Sequence, residues 1–286
     1  MMYYLVISAA VTLFAFSFLF NQRYENNCGN SLKSALIFSL GANIVAALVL
    51  FAINGFKAEF TVFTFIVATV AALNSIIYSV CSIKALGKIN LSLYSVFAML
   101  GGMALPFFAG ILFFNEDFTA AKAVCFIAVA SSLFFTVKKG ENKNGGTLYY
   151  VAVFICNGMS GVLAKFFQTS PFQKTGNTSY SLLIAVMTAL ISAVITLFLR
   201  NQKIQFAKKA AADIMIFGTF SSVGNLLLLI SLEHLPASAQ YPFVTGGVMI
   251  ISTVICFFTK NKPSKRELIS VAVAFAGILA LVIIPF

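Results

Sequence analysis

The sequence predicts an all-α polytopic membrane protein of ten transmembrane helices, laid out as a 5+5 inverted repeat. Three observations carry that expectation. Hydrophobic residues make up 60% of the 286 positions and charged residues only 9%, against roughly 25% charged in a soluble domain. Continuous apolar runs recur along the chain, each near the roughly 20 residues needed to cross about 30 Å of hydrocarbon. Basic residues gather in alternate connections between those runs.

The runs lie near 3–20, 32–54, 61–83, 91–114, 118–137, 148–168, 180–199, 210–232, 237–259 and 267–286. They are continuous rather than alternating, which fits helices and not barrel strands. A soluble helical core would show charged stripes, and the mean hydropathy of +0.97 leaves no room for them. The opening MMYYLVISAA carries no basic leader, so the first run is expected to be a span and not a signal peptide. The five cysteines are scattered and mostly sit inside apolar runs, as small hydrophobes do.

Of the 19 Lys and Arg, all but Lys57, Lys122, Lys165 and Lys174 fall in or beside the connections after runs 1, 3, 5, 7 and 9. The positive-inside rule places those odd connections in the cytoplasm and both termini outside. Anionic lipid headgroups account for the net charge of +11. The lipid bilayer is therefore the expected partner, and a nucleic acid is not. The reading is a multi-pass protein of a cell membrane, a bacterial inner or plasma membrane. Its oligomeric state is open.

The chain repeats itself at a period of about 146 residues. Asn30-Ser31 corresponds to Asn177-Thr178, Ser34 to Ser181, Leu36 to Leu183 and Asn54 to Asn201. Gly101-Gly102 corresponds to Gly246-Gly247, and Thr119 to Ser264. The halves are 1–140 and 141–286. Each would hold five helices, and an odd number makes the second half enter from the opposite face. Secondary transporters commonly have this layout, with a substrate site at mid-membrane between the halves.

The stretch LEHLPASAQYPFVTGGVMIISTVICFFTKNKPSKRELISVAVAFAGILAL (232–281) resembles the end of the second repeat in the drug/metabolite transporter superfamily, EamA-like branch. KINLSLYSVFAMLGGMALPFFAGILFFNEDFTAAKAVCFIAVASSLFF (88–135) resembles its partner in the first repeat. The resemblance implies alternating access around a cavity lined mainly by helices 1, 3, 4, 6, 8 and 9. Two positions depart from the pattern. Glu116 follows helix 4, but Asn261 stands in the matching place after helix 9. Lys165 ends helix 6, but Asn21 stands in helix 1. The resemblance also implies cytoplasmic termini, opposite to the charge count.

Polar residues at membrane depth are the candidate site. Asn74 and Tyr78 share a face of helix 3 at i,i+4, and Tyr94 lies near the start of helix 4. Helix 6 brings Asn157 and Ser160, with Lys165 a turn further on. Helix 8 brings Ser222 and Asn225, and helix 9 brings Tyr241 and Thr245. Such groups need partners in hydrocarbon, either in a neighbouring helix or in a substrate-filled cavity. Lys165 either snorkels to the interface or meets an anionic group of the substrate.

Asp213, Glu233, Glu116 and Glu59 all stand near helix ends, so no carboxylate marks a midplane proton site. The chain has a single histidine, His234, no metal-ligand cluster and no nucleophile paired with a base inside a span, which argues against an enzyme and against any cofactor. The expectation is a transporter of a small neutral or weakly anionic metabolite or drug-like compound. The alternative is a non-transporting membrane scaffold. Pro106 and Pro242 are expected inside helices 4 and 9, where each removes a helical hydrogen bond.

Overall fold

A computed structural model describes residues 2–29, 31–86, 91–135, 147–199, 209–257 and 264–283. Asn30, Asn201 and Asn261, and most of the basic connections, lie outside these. Among the described residues the chain forms ten helices and no strand. They are α1 (Met2–Cys28), α2 (Leu32–Ile53), α3 (Val62–Leu86), α4 (Leu91–Phe113), α5 (Ala120–Phe135), α6 (Thr147–Thr169), α7 (Asn177–Phe198), α8 (Ala210–Leu232), α9 (Ala237–Phe257) and α10 (Lys265–Ile283).

Eight of these are long and apolar enough to cross a membrane. The other two are α5, an apolar helix of 16 residues, and α10, which has 19 residues and opens on Lys265, Arg266 and Glu267. The chain is thus a multi-pass helical membrane protein, with eight spans carried by length and composition. Exposed apolar side chains form the lipid-facing surface. On α3, for instance, Ile66, Val70, Leu73 and Ile77 make one exposed stripe at i, i+4, i+7 and i+11.

Local sequence chemistry sets several helix ends. Ser31 caps α2 by accepting the Ser34 amide at 3.1 Å. Ser264 and Glu267 form a reciprocal capping box on α10, at 2.6 and 3.3 Å. Pro106 and Pro242 lie inside α4 and α9.

The bundle packs in defined pairs. α1 lies on α8 and α9, and α6 on α3 and α4. α2 lies on α7 and α8, α7 on α3, α4 on α9 and α5 on α10. One large core joins α1, α4, α5, α9 and α10 through Ile7, Val11, Met103, Val129, Phe243 and Ile278. Small residues bring α4 and α6 closest. A methyl group added at Gly101 would overlap the Phe154 carbonyl, and one at Gly158 would overlap the Gly101 carbonyl. At the glycine pair of α9 an added methyl group would meet side chains instead: Ile278 and Val129 at 3.0 Å from Gly246, and Val11 at 2.9 Å from Gly247.

Candidate functional site

The helices begin and end alternately at two ends of the bundle. One end holds the connections after α2, α4, α6 and α8, together with the start of α1, and is called here the even end. The other, the basic end, holds the connections after α1, α3, α5, α7 and α9.

At the even end the bundle is closed. Val67 and Ala68 of α3, Phe167 of α6, Tyr180 of α7 and Leu229 of α8 form one buried cluster. The rings of Phe167 and Tyr180 stack with centroids 3.9 Å apart. Leu228 and Leu232 of α8 and Ala237 and Tyr241 of α9 form a second cluster beside it, with Phe14 and Ala164 packed against them. The Gln168 side chain donates to the Leu229 carbonyl at 3.2 Å and to Asn177 at 2.6 Å, and Asn177 in turn donates to Glu233 at 2.8 Å.

Toward the basic end the same helices separate into two groups. Tyr24, Cys28, Phe38, Ala42, Ala210 and Ile214 unite α1, α2 and α8. Ala98 and Val153, with Tyr78, Cys81, Tyr149 and Tyr150, unite α3, α4 and α6. Between the closed end and these separate clusters, exposed polar residues interrupt otherwise buried helix faces, and the space onto which they face is called here the cleft. On α8, Asn225 is exposed although Ser222, Leu228 and Leu229, its neighbours at i−3, i+3 and i+4, are buried. On α6, Ser160 is exposed between Val153, Cys156 and Phe167, all buried on the same face. An exposed residue on a buried face looks into an interior space and not toward lipid.

The register agrees on all three helices. Asn74 lies seven residues beyond Val67, Ser160 seven before Phe167 and Asn225 four before Leu229. At 1.5 Å per residue, each stands about 6–10 Å from the closed cluster toward the basic end. Asn74 donates through Nδ2 to the Cys156 carbonyl at 2.8 Å and to Ser160 Oγ at 3.0 Å. Asn225 donates through Nδ2 to the Ser221 carbonyl at 2.8 Å.

The sequence-expected residues divide accordingly. Asn74 and Asn225 reach the cleft. Tyr78 is half-buried in the α3–α4–α6 cluster at its basic end. Asn157 is turned away to α4, where it donates to the Ala98 carbonyl at 2.6 Å. Tyr241 is buried and donates to the Gly161 carbonyl at 3.3 Å. Ser222 is buried and returns its hydroxyl to the Thr219 carbonyl of its own helix at 3.1 Å. Thr245 is half-buried in α9. Tyr94 belongs to α4, and its side chain lies outside the described residues.

Lys165 needs a correction, for it neither snorkels nor faces the cleft. It is 8% exposed and pairs with Glu116 Oε1 at 2.8 Å. The same carboxylate accepts the Ala237 and Ser238 amides at 2.7 and 2.8 Å and the Ser238 hydroxyl at 2.6 Å. Glu116 therefore caps the N-terminus of α9, where free amides and the helix dipole favour an anion. Asn115, at φ 52°, turns the chain out of α4 so that Glu116 can reach across. Burial opposes ionisation of Glu116, but Lys165 and the Ser238 hydroxyl and amide outweigh it and hold the carboxyl below the usual carboxylate range.

Sequence reasoning saw Glu116 and Lys165 singly and not as a pair, since 49 positions of chain separate them. At the basic end a second long-range pair joins Arg23 of α1 to the buried Asp213 of α8 at 3.4 Å. His234, beside Glu233 at 3.9 Å, stacks on Tyr3 at the even end.

No family model matches the chain, and no curated protein matches it either. A solved structure described only as a crystal structure of a protein aligns with 96% of this chain and 94% of its own length. The TM-score is 0.76 at 14% identity, a likeness of fold alone.

Proposed function

We propose that this protein is a secondary transporter of a small neutral or cationic compound, of the drug/metabolite transporter type, working by alternating access. The observation that carries the reading is the cleft. Mid-helix polar residues from both halves, the bonded pair Asn74 and Ser160 on α3 and α6 and Asn225 on α8, look into a space closed at the even end and bordered by separate clusters toward the basic end. A carrier caught with its site open to one side has this form.

The packing supports two five-helix repeats. Exchanging α1–α5 with α6–α10 turns the α1–α8 contact into α6–α3, α4–α6 into α9–α1, and α2–α8 into α7–α3. The α2–α7, α4–α9 and α5–α10 contacts map onto themselves. With the basic connections in the cytoplasm the cleft faces inward, whereas with the cytoplasmic termini that the resemblance implies it faces outward. Occupation of Lys165 by Glu116 removes the cation that would have favoured an anionic substrate, so anions are disfavoured.

The test is counterflow in liposomes carrying the purified protein, with amino acids, nucleosides, sugars and lipophilic amines as solutes. One solute class should exchange, and Asn74→Leu and Asn225→Leu should each abolish exchange in protein that still melts cooperatively. Unchanged exchange in both variants would refute the site. Silence across the panel would leave a non-transporting scaffold.

A further inference from the structure

The cleft also indicates what kind of ligand it takes, an inference that rests on the transporter reading. An Asn amide presents a donor end and an acceptor end, and which end faces a space is fixed by what the other end touches. The Nδ2 of Asn74 lies 2.8 Å from the Cys156 carbonyl and that of Asn225 lies 2.8 Å from the Ser221 carbonyl. A backbone carbonyl in an α-helix only accepts, so both amides must direct NH2 at it. Reversing either amide would set two oxygens against each other. Each Oδ1 is therefore the free end, and neither has a hydrogen-bond partner among the described residues.

Ser160 continues the pattern. Its hydroxyl donates back to the Cys156 carbonyl at 3.3 Å and receives Asn74 Nδ2 at 3.0 Å, so its remaining capacity is a lone pair. Asn74 and Ser160 thus offer oxygens and no free hydrogen, and Asn225 offers its Oδ1 while its second N–H turns to Ser221 Oγ at 3.4 Å. Charge is kept away from them: Lys165 is held by Glu116, and Asp213 and Arg23 face one another at the basic end.

We infer that the cleft selects ligands that donate hydrogen bonds, through N–H groups of a primary amine, ammonium or amide, and disfavours carboxylates and phosphates. Unmet oxygens in a partly dry space attract a donor strongly and repel an anion. Asn74 and Asn225 are the specificity-determining residues. They come from different helices, α3 and α8.

The inference can be tested without knowing the natural ligand. Ser221, half-buried one turn from Asn225, is replaced by Cys in the full chain whose five native cysteines are changed to Ala. Both Asn residues are kept. The purified protein in detergent is treated with three methanethiosulfonates that differ only in their tail: aminoethyl, trimethylammonioethyl and sulfonatoethyl. Rates are divided by those on a free thiol in solution. The aminoethyl reagent should react about tenfold faster than the trimethylammonio reagent, which has the same charge but no donor, and the sulfonate should be slowest. Adding Asn74→Leu and Asn225→Leu should bring the aminoethyl rate down to that of the trimethylammonio reagent. Equal normalised rates for all three, a fastest sulfonate, or a preference that survives loss of both Asn residues would each overturn the donor preference while leaving the transporter reading intact. No labelling by any reagent, in protein that labels fully once denatured, would show that the interior is closed and would overturn both.

Discussion

The two ends of this bundle are held together by different physics. At the even end a buried carboxylate binds an ammonium and three donors of another helix, and stacked aromatic rings seal the gap beside it. At the basic end the clusters are separate, and the polar contacts are an ion pair whose arginine side chain is 50% exposed and a tyrosine hydroxyl bonded within α1 and α2. The closed end therefore rests on a carboxylate with four contacts, and the open end on a buried Asp213 held by one half-exposed arginine and on the buried Tyr24–Ser34 bond. A bundle that hinges would be expected to separate where separation costs least.

The largest effect should come from the even end. Glu116→Gln leaves Lys165 buried without its counter-ion and should cost about 3–5 kcal/mol, seen as a lowered melting temperature in detergent. Acid should act in the same direction. The folded carboxyl sits below its ordinary value of 4.5, so its contribution is complete above that value and is lost as pH falls through the lower folded-state value. A melting curve that loses stability under acid in the parent and not in Glu116→Gln would confirm the linkage. A parallel loss in both would assign it elsewhere.

The second prediction compares the two glycine pairs. Gly101→Ala drives a methyl group into the Phe154 carbonyl, which is backbone and cannot turn aside. Gly246→Ala meets the flexible side chains of Ile278 and Val129 at 3.0 Å. The first should cost about 1–3 kcal/mol and the second less, so equal melting temperatures would contradict the packing. The smallest effect belongs to the basic end. Tyr24→Phe removes a 3.1 Å bond to the Ser34 carbonyl and should cost about 1 kcal/mol. A loss as great as that of Glu116→Gln would erase the difference between the ends.

The helices were legible because hydrocarbon allows few alternatives: long apolar runs, punctuated by short polar segments, had to become helices. Within the site, legibility stopped at the single helix. Asn74 and Tyr78 do share a face, yet Asn157 and Ser160, three positions apart, look at different partners, α4 for one and α3 for the other. Periodicity places a side chain on its own helix but does not say which neighbour that face meets. Lys165 shows the same limit, because its partner is fixed by the turn at Asn115 and by where α9 begins. Phe167 and Tyr180, which seal the even end, are ordinary apolar residues in sequence and become a closure only through the approach of α6 and α7.

The carboxylate of Glu116 also bears on how the chain is made. It emerges from the ribosome 49 residues before Lys165 and about 120 before the amides of Ala237 and Ser238 that it caps. Through that interval an ionisable group belonging to the first half has its counter-charge in the second. Until both are made, Glu116 lacks its ammonium and α9 lacks its capping carboxylate, so this contact between distant parts of the chain forms only once α9 has been synthesised.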